Sequence, residues 1–310
     1  MSRPRVLLTG GSGFIGSRAI APLLEAGYEV HAIARRHGAS ADVTWHELDL
    51  LDDRASADLV AEIAAEHLLH FAWITEHGRF WSAPENLDWV AASLRLLRAF
   101  ADAGGRRAVL AGTCAEYDWE GHVERCVETD DGARAATPLR PATLYGACKH
   151  ATRVVADAYA REAGLSLAWG RVFLLYGPGE DQRRLVPHVA SALLAGQQAP
   201  TSDGAQVRDF MHVDDVAGGF VALLRSAVEG PVNIASGQGA RIADVLALIA
   251  DAARRPELLR IGALPRRPGE PDALVADTRR LRDEVGFAPA IALERGIAQA
   301  VASLRGAECV

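Results

Sequence analysis

Apolar positions along the first half of the chain alternate between short continuous runs and longer stretches spaced by three and four. Arg5-Val-Leu-Leu-Thr9 is a short apolar run leading into glycines, and Phe14 to Ala26 then carries Ile15, Ala19 and Leu23 at helical spacing up to a stop at Gly27. The same reading predicts strands over Glu29 to Ala34 and Val43 to Leu48, a helix through Leu59 and Ile63, and a strand from His67 to Ala72. A helix over Asn86 to Ala103, a strand over Ala108 to Gly112, a helix over Ala142 to Ala163 and a strand over Ser166 to Phe173 complete the series. Strands alternating with helices imply an α/β fold whose parallel sheet is covered on both faces. After residue 173 the rhythm changes: Gly177-Pro-Gly179, Pro265 and Pro268-Gly-Glu-Pro271 separate shorter elements, which predicts a smaller lobe.

Gly10-Gly-Ser-Gly13-Phe-Ile-Gly16 falls between the first strand and the first helix. In that context a loop can bring backbone N–H groups and a helix N-terminus against a pyrophosphate, which side chains at Gly10, Gly13 and Gly16 would block. Phe14 and Ile15 belong to the same loop; a plain glycine-rich turn is the alternative reading. The end of the second strand reads Ala34-Arg35-Arg36. A carboxylate there would bond a ribose 2′-hydroxyl, whereas guanidiniums suit a 2′-phosphate, so the pattern favours NADP(H), with NAD the alternative and two solvated arginines the structural one. Asp49 and Leu50, after the third strand, are placed to meet an adenine, and Phe71 and Ala72 end the fourth strand beside the cofactor. His70 reads as a core histidine.

Tyr145-Gly-Ala-Cys-Lys149 opens a helical segment, and a spacing of four puts the phenol and the ammonium on one face. A phenol titrates at about pH 10, so proton exchange near neutrality needs a positive charge beside it. Thr113, at the end of the fifth strand, can place a hydroxyl on the same substrate oxygen. Trp73-Ile-Thr-Glu-His-Gly-Arg-Phe-Trp81 follows the fourth strand, where loops face the ligand, and its aromatic faces beside Thr75, Glu76 and His77 suit a deoxysugar ring. The alternative is a surface loop pinned by buried tryptophans.

With the glycine loop, the Thr113, Tyr145 and Lys149 set resembles the short-chain dehydrogenase/reductase superfamily. Arg208-Asp-Phe-Met-His-Val-Asp-Asp215, Tyr176-Gly-Pro178 and Arg267-Pro-Gly are similar to its extended branch, the NAD-dependent epimerase/dehydratase family acting on nucleotide sugars. The resemblance covers nearly the whole chain, with the motifs in family order. It implies a Rossmann-type doubly wound parallel sheet with a smaller C-terminal substrate lobe. The dinucleotide-binding domain would span 1–172, rejoined by 212–234, and the lobe 173–211 and 235–310. It also implies Tyr145 as the acid/base, Lys149 on the nicotinamide ribose, Thr113 orienting the sugar oxygen, and Arg208 and Arg267 on the diphosphate. Family members commonly dimerise through the two helices expected over 86–103 and 142–163, which implies a homodimer.

Departures from the family pattern bear on the reaction. Sugar 4,6-dehydratases of the family carry an Asp-Glu pair after the catalytic Thr; here Cys114-Ala115 stands there, Glu116 reads as structural, and Leu174 replaces a diphosphate-binding Asn. Dehydration and decarboxylation are therefore not expected. The reading is an NADPH-dependent reduction of a nucleotide-linked 4-keto-6-deoxyhexose, carried on CDP or dTDP. A nucleotide-sugar 4-epimerase with tightly bound NAD is the enzymatic alternative, and a non-catalytic NADP-binding regulator the alternative of another class.

Composition removes other classes. Of 310 residues 49% are apolar, and 33 Lys plus Arg face 40 Asp plus Glu for a net charge of −7, without the basic clusters that nucleic acid or an anionic membrane would require. No stretch approaches the ~18 apolar residues of a membrane span. Cys114, Cys126, Cys148 and Cys309 lack C-x-x-C spacing and read as free thiols, and the expected location is the cytoplasm. No metal is expected.

Overall fold

The computed structural model describes residues 3–119, 125–128, 136–266 and 269–307. Its first half runs β1 (Arg5–Thr9), α1 (Gly16–Glu25), β2 (Glu29–Ala34), β3 (Thr44–Glu47), α2 (Asp53–Ile63), β4 (His67–His70), α3 (Glu85–Asp102), β5 (Arg107–Thr113), α4 (Leu144–Ala163) and β6 (Ser166–Val172). The strands expected to reach Ala72 and Phe173 end slightly earlier, because the chain leaves the sheet there to form the cleft. The second half runs β7 (Leu174–Tyr176), α5 (Leu185–Leu194), β8 (Ala199–Pro200), β9 (Val207–His212), α6 (Val213–Arg225), β10 (Gly230–Ile234), β11 (Gly239–Arg241), α7 (Ile242–Ala253), β12 (Leu259–Arg260), β13 (Ala273–Leu274) and α8 (Leu293–Ala307).

Seven strands form one parallel sheet in the order β10-β6-β5-β4-β1-β2-β3. Side chains alternate across it. Val6, Leu8, Leu69, Val109 and Ala168 share one core with α1 and α6 residues such as Leu23 and Phe220. Leu7, Leu68, Leu110 and Trp169 share the other with Val60 of α2, Leu97 of α3 and Ala156 of α4. The strand order reverses between β1 and β4, which opens a crevice at their carboxyl ends and makes it the natural ligand site of such a sheet. A smaller sheet of β7, β9, β11 and β13 packs with α5, α7 and α8 around Tyr176, Val186, Val245 and Ile297.

Candidate active site

The glycine loop is shaped by close backbone approach. Gly10 has φ +69°, and a Cβ on it would lie 2.9 Å from the Ala72 nitrogen. A Cβ on Gly16 would fall 2.1 Å from the Gly10 carbonyl oxygen, so α1 can begin against the end of β1 only with glycine there. Gly13 donates its N–H to that carbonyl at 2.9 Å. Phe14 and Ile15 close the loop half-buried, and Ile15 immediately precedes α1. This cradle of bare backbone at a helix N-terminus fits the diphosphate of a dinucleotide. Arg18, two residues into the helix, donates to the Pro178 carbonyl at 2.7 Å and fixes the 177–179 turn beside the cradle.

Arg35 and Arg36 are exposed just past the end of β2. Asp49 is exposed and accepts from the Leu51 N–H at 3.1 Å, while Leu50 is buried in the core. Phe71 packs edge-on against Phe220 at 4.8 Å, and Ala72 donates its N–H to Thr9 Oγ1. His70 is a core residue: it is held between Thr9 Oγ1 at 2.6 Å and Ser93 Oγ at 2.9 Å, and burial lowers its pKa to about 3, which keeps it neutral.

Thr113, Tyr145 and Lys149 come together where β5 meets α4. Thr143 caps α4 by accepting from the Gly146 N–H at 3.1 Å. A Cβ on Gly146 would lie 2.3 Å from the Ala115 carbonyl oxygen, so this glycine lets the helix start directly on the turn after β5. That contact brings the Tyr145 phenol into hydrogen bonding with Thr113. Burial pushes the phenol above its ordinary range; the Thr113 bond and the Arg184 charge oppose the rise. Lys149 is buried and donates to the Ala111 carbonyl at 2.8 Å; desolvation lowers its pKa to about 7, opposed by the Glu116 charge.

The carboxylate nearest Thr113 is committed elsewhere. Glu116 is fully buried and accepts from the Thr113 N–H at 2.9 Å, from Trp169 Nε1 at 2.8 Å and from Arg171 Nε at 2.9 Å. Arg171 in turn donates to the Tyr117 hydroxyl at 3.1 Å, and that hydroxyl donates to Asn233 Oδ1 at 2.8 Å. Glu116 is structural, and its work is to hold the backbone of Thr113. Cys114 and Ala115 are buried beside it.

The segment after β4 packs directly on Tyr145 and Lys149. Trp81 is 37% exposed and meets Tyr145 and Trp119 edge-on at 5.8 Å and 6.1 Å. Thr75 is exposed and His77 half-buried, near Asp181, whose carboxyl is held low by hydrogen bonds from Arg183 with a lesser contribution from His77. The face of Trp73 is not offered to a ligand, because the ring is buried under the Lys149 ammonium. In the lobe, Arg208 is buried and pairs with Glu270 at 3.1 Å, and its charge reaches Cys114 beside Thr113. Arg267 and Cys309 lie outside the described residues. Cys114, Cys126 and Cys148 are buried free thiols. No helix among the described residues is long and apolar enough to cross a membrane.

Two residues escaped the sequence reading. Arg184 precedes α5 and directs its charge to Tyr145 from a loop distant in sequence. The other is Trp73, as a partner of Lys149. Lys149 itself stands out as the chain's one lysine, all its other cationic side chains of this class being arginine.

Comparison with known proteins agrees with this geometry. Residues 6–235 match the model of the NAD dependent epimerase/dehydratase family. The UDP-glucose 4-epimerase of Corynebacterium glutamicum is 29% identical, over 92% of this chain and 91% of that protein. Among solved structures, the UDP-glucose 4-epimerase of Thermus thermophilus in complex with NAD is 28% identical with a TM-score of 0.83, covering 98% of this chain and 99% of that one. MoeE5 in complex with UDP-glucuronic acid and NAD is likewise 28% identical, with a TM-score of 0.81 over 98% of this chain and 99% of its own.

Proposed function

Because the chain belongs to the NAD-dependent epimerase/dehydratase family, and so to its NAD(P)-dependent enzymes, we propose that it is an NADPH-dependent reductase of a 4-keto-6-deoxyhexose carried on CDP or dTDP. The exposed guanidiniums of Arg35 and Arg36 past the end of β2 support NADPH over NAD, and the site chemistry supports proton transfer to a sugar oxygen without dehydration. The cleft holds a positioned phenol, hydroxyl and ammonium at Tyr145, Thr113 and Lys149, while the carboxylate after Thr113 is locked to Arg171 and Trp169. Such a site can protonate a carbonyl oxygen but has no second acid and base beside Thr113 to expel a hydroxyl.

A bound nicotinamide dinucleotide supplies the hydride chemistry. Gly10, Gly13 and Gly16 would hold its diphosphate, Arg35 and Arg36 a 2′-phosphate, Asp49 and Leu50 the adenine end, and Phe71, Ala72 and Lys149 the nicotinamide end. Thr113 orients the sugar oxygen and Tyr145 gives it a proton. The cations Lys149 and Arg184 favour the phenolate that this transfer leaves. Arg208 and Arg267 would take the substrate diphosphate, and Thr75, His77 and Trp81 the sugar. A homodimer is supported by Leu87 of α3 and Val154 and Val155 of α4, which are 59%, 48% and 49% exposed.

Enzyme incubated with NADPH and CDP- or dTDP-4-keto-6-deoxyglucose should deplete the reduced cofactor; no turnover with either sugar sinks the proposal. Replacing Arg35 and Arg36 together by Ser should raise KM for NADPH by about 10–100-fold and leave that for NADH unchanged. Equal effects on both cofactors would remove the NADP preference. A second reading, a 4-epimerase with tightly bound NAD, is favoured by the named activity of the relatives; it requires NAD to co-purify and no net consumption of NADPH.

A further inference from the structure

Lys149 is surrounded by little that stabilises a charge. Its Nζ has a carbonyl, that of Ala111, at 2.8 Å. The titratable groups that face it are few: Glu116, from the turn after β5, is drawn to Arg171, and His70 of β4 is neutral. The Trp73 ring completes the surround, with Nζ 3.8 Å from its centroid. The ring is itself fixed. Trp73 Nε1 donates to Asn86 Oδ1 at 2.8 Å, and the Asn86 amide donates to the carbonyls of Phe80 and Ala83, both at 2.8 Å. Phe80 then meets the Tyr145 ring edge-on at 4.9 Å, and the Trp81 carbonyl accepts from the Tyr145 N–H.

We propose that Trp73 is a positioning residue of the catalytic pair: its indole face holds the Lys149 ammonium by a cation–π contact, and through Asn86 it ties that charge to the loop that seats Tyr145. The proposal rests on the reaction assigned above, where the ammonium supports the phenolate. An ammonium over an indole face is attracted by the ring quadrupole, and more strongly where water is excluded. A lysine, unlike an arginine, changes protonation readily when buried, so its surroundings decide whether it is charged at neutral pH. In a chain whose other basic side chains of this kind are all arginine, the one lysine stands where that sensitivity matters.

The single lysine also makes the test direct, because protein labelled with [ε-13C]lysine gives one lysine resonance whose titration reports Lys149 without substrate or turnover. Trp73→Leu should lower the Lys149 pKa by about one pH unit, whereas Trp73→Phe, which keeps a π face but loses the bond to Asn86, should lower it by less than about half as much. In turnover assays the alkaline limb of kcat should move to lower pH in the same order. An unchanged or raised Lys149 pKa in Trp73→Leu, or equal shifts in the two variants, overturns the proposal, since a purely structural tryptophan would alter stability without ordering the titrations by π character. If Trp73→Leu does not fold, protein grown with tetrafluorotryptophan keeps the shape and removes the quadrupole; the Lys149 pKa should fall there too, and a constant value overturns the idea. Because the titration is read on free protein, it can succeed while the assigned substrate fails, or the reverse.

Discussion

The two walls of the cleft solve one problem differently. At the end of β5 the wall is polar and neutralised from behind: Glu116 takes three hydrogen bonds, and its charge is met by the buried Arg171 guanidinium 2.9 Å away. The other wall, from Trp73 to Asn86, is aromatic, with Trp73, Phe80 and Trp81 set around Lys149 and Tyr145 by a buried amide. A buried ion pair fixes geometry through directed bonds and is costly to break on one side. An aromatic wall excludes water and tolerates small displacements, while still offering electron density to a cation. The first wall should therefore fail abruptly when altered and the second by degrees.

Tyr145 stands where the walls meet, so Tyr145→Phe should give the largest functional effect. We expect kcat to fall by about 10²–10⁴-fold, the range for loss of a general acid, with dinucleotide affinity unchanged. Steady-state kinetics beside a cofactor titration checks this, and retained turnover would show that Tyr145 is not the proton donor. Next comes Glu116→Gln, which leaves the Arg171 cation buried without its counter-charge. A loss of about 3–5 kcal/mol of stability is expected, seen as a fall of about 5–15 °C in melting temperature. A melting temperature within 2 °C of the parent, at about ±1 kcal/mol, would show that the polar wall is not held by this pair.

Legibility in the sequence divides along the same line. The sheet was readable because residues such as Leu7 and Leu8 sort to opposite cores by position parity, and the helices because Ile15, Ala19 and Leu23 recur at helical spacing. Gly10 and Gly16 were readable since the positive φ at Gly10 and the contact of Gly16 with the Gly10 carbonyl are local, although the approach of Ala72 to Gly10 was not. Tyr145 and Lys149 were readable from a spacing of four on one helix. The contacts between distant segments were not. Nothing in the string ties Trp73 to Lys149, or Arg184 to Tyr145, because those meetings depend on how far the 73–86 loop folds back and where α5 begins. The structural character of Glu116 could be suspected from its neighbours, but its partner Arg171, fifty-five residues on, could not be named.

A second buried carboxylate sharpens the contrast. Glu180, in the turn before α5, is 7% exposed, and its Oε2 finds no hydrogen-bond partner among the described residues. Burial raises its pKa to about 8, with Arg184 opposing. An unfolded glutamate titrates at about 4.3, so the folded chain holds this proton more tightly than the unfolded one. That stability is fully present below about pH 4.3 and is lost progressively as pH rises from there through about 8. Glu180→Gln should therefore be more stable than the parent at pH 8.5 by about 1–3 kcal/mol and near parity at pH 4.5, in thermal melts at the two pH values. A variant with the same offset at both would mean that Glu180 is solvated or partnered like Glu116.

The smallest effect is expected on the aromatic wall. Phe80→Leu keeps most of the buried volume but loses the edge-on contact with Tyr145, 4.9 Å between centroids, which is worth about 0.5–1.5 kcal/mol beyond area. The Asn86 amide still reaches the main-chain carbonyl at position 80, so the loop keeps its anchor. We expect kcat to fall by less than about tenfold and the alkaline limb of its pH profile to stay in place, since the indole under Lys149 is untouched. The pairing with Trp73→Leu is the informative one. Both remove one aromatic face from the same wall, but only the second removes it from the cation. If Phe80→Leu displaced the alkaline limb as far as Trp73→Leu does, the wall would act through water exclusion alone, and the division between a directed polar wall and an aromatic one that holds charge would collapse into a difference of degree.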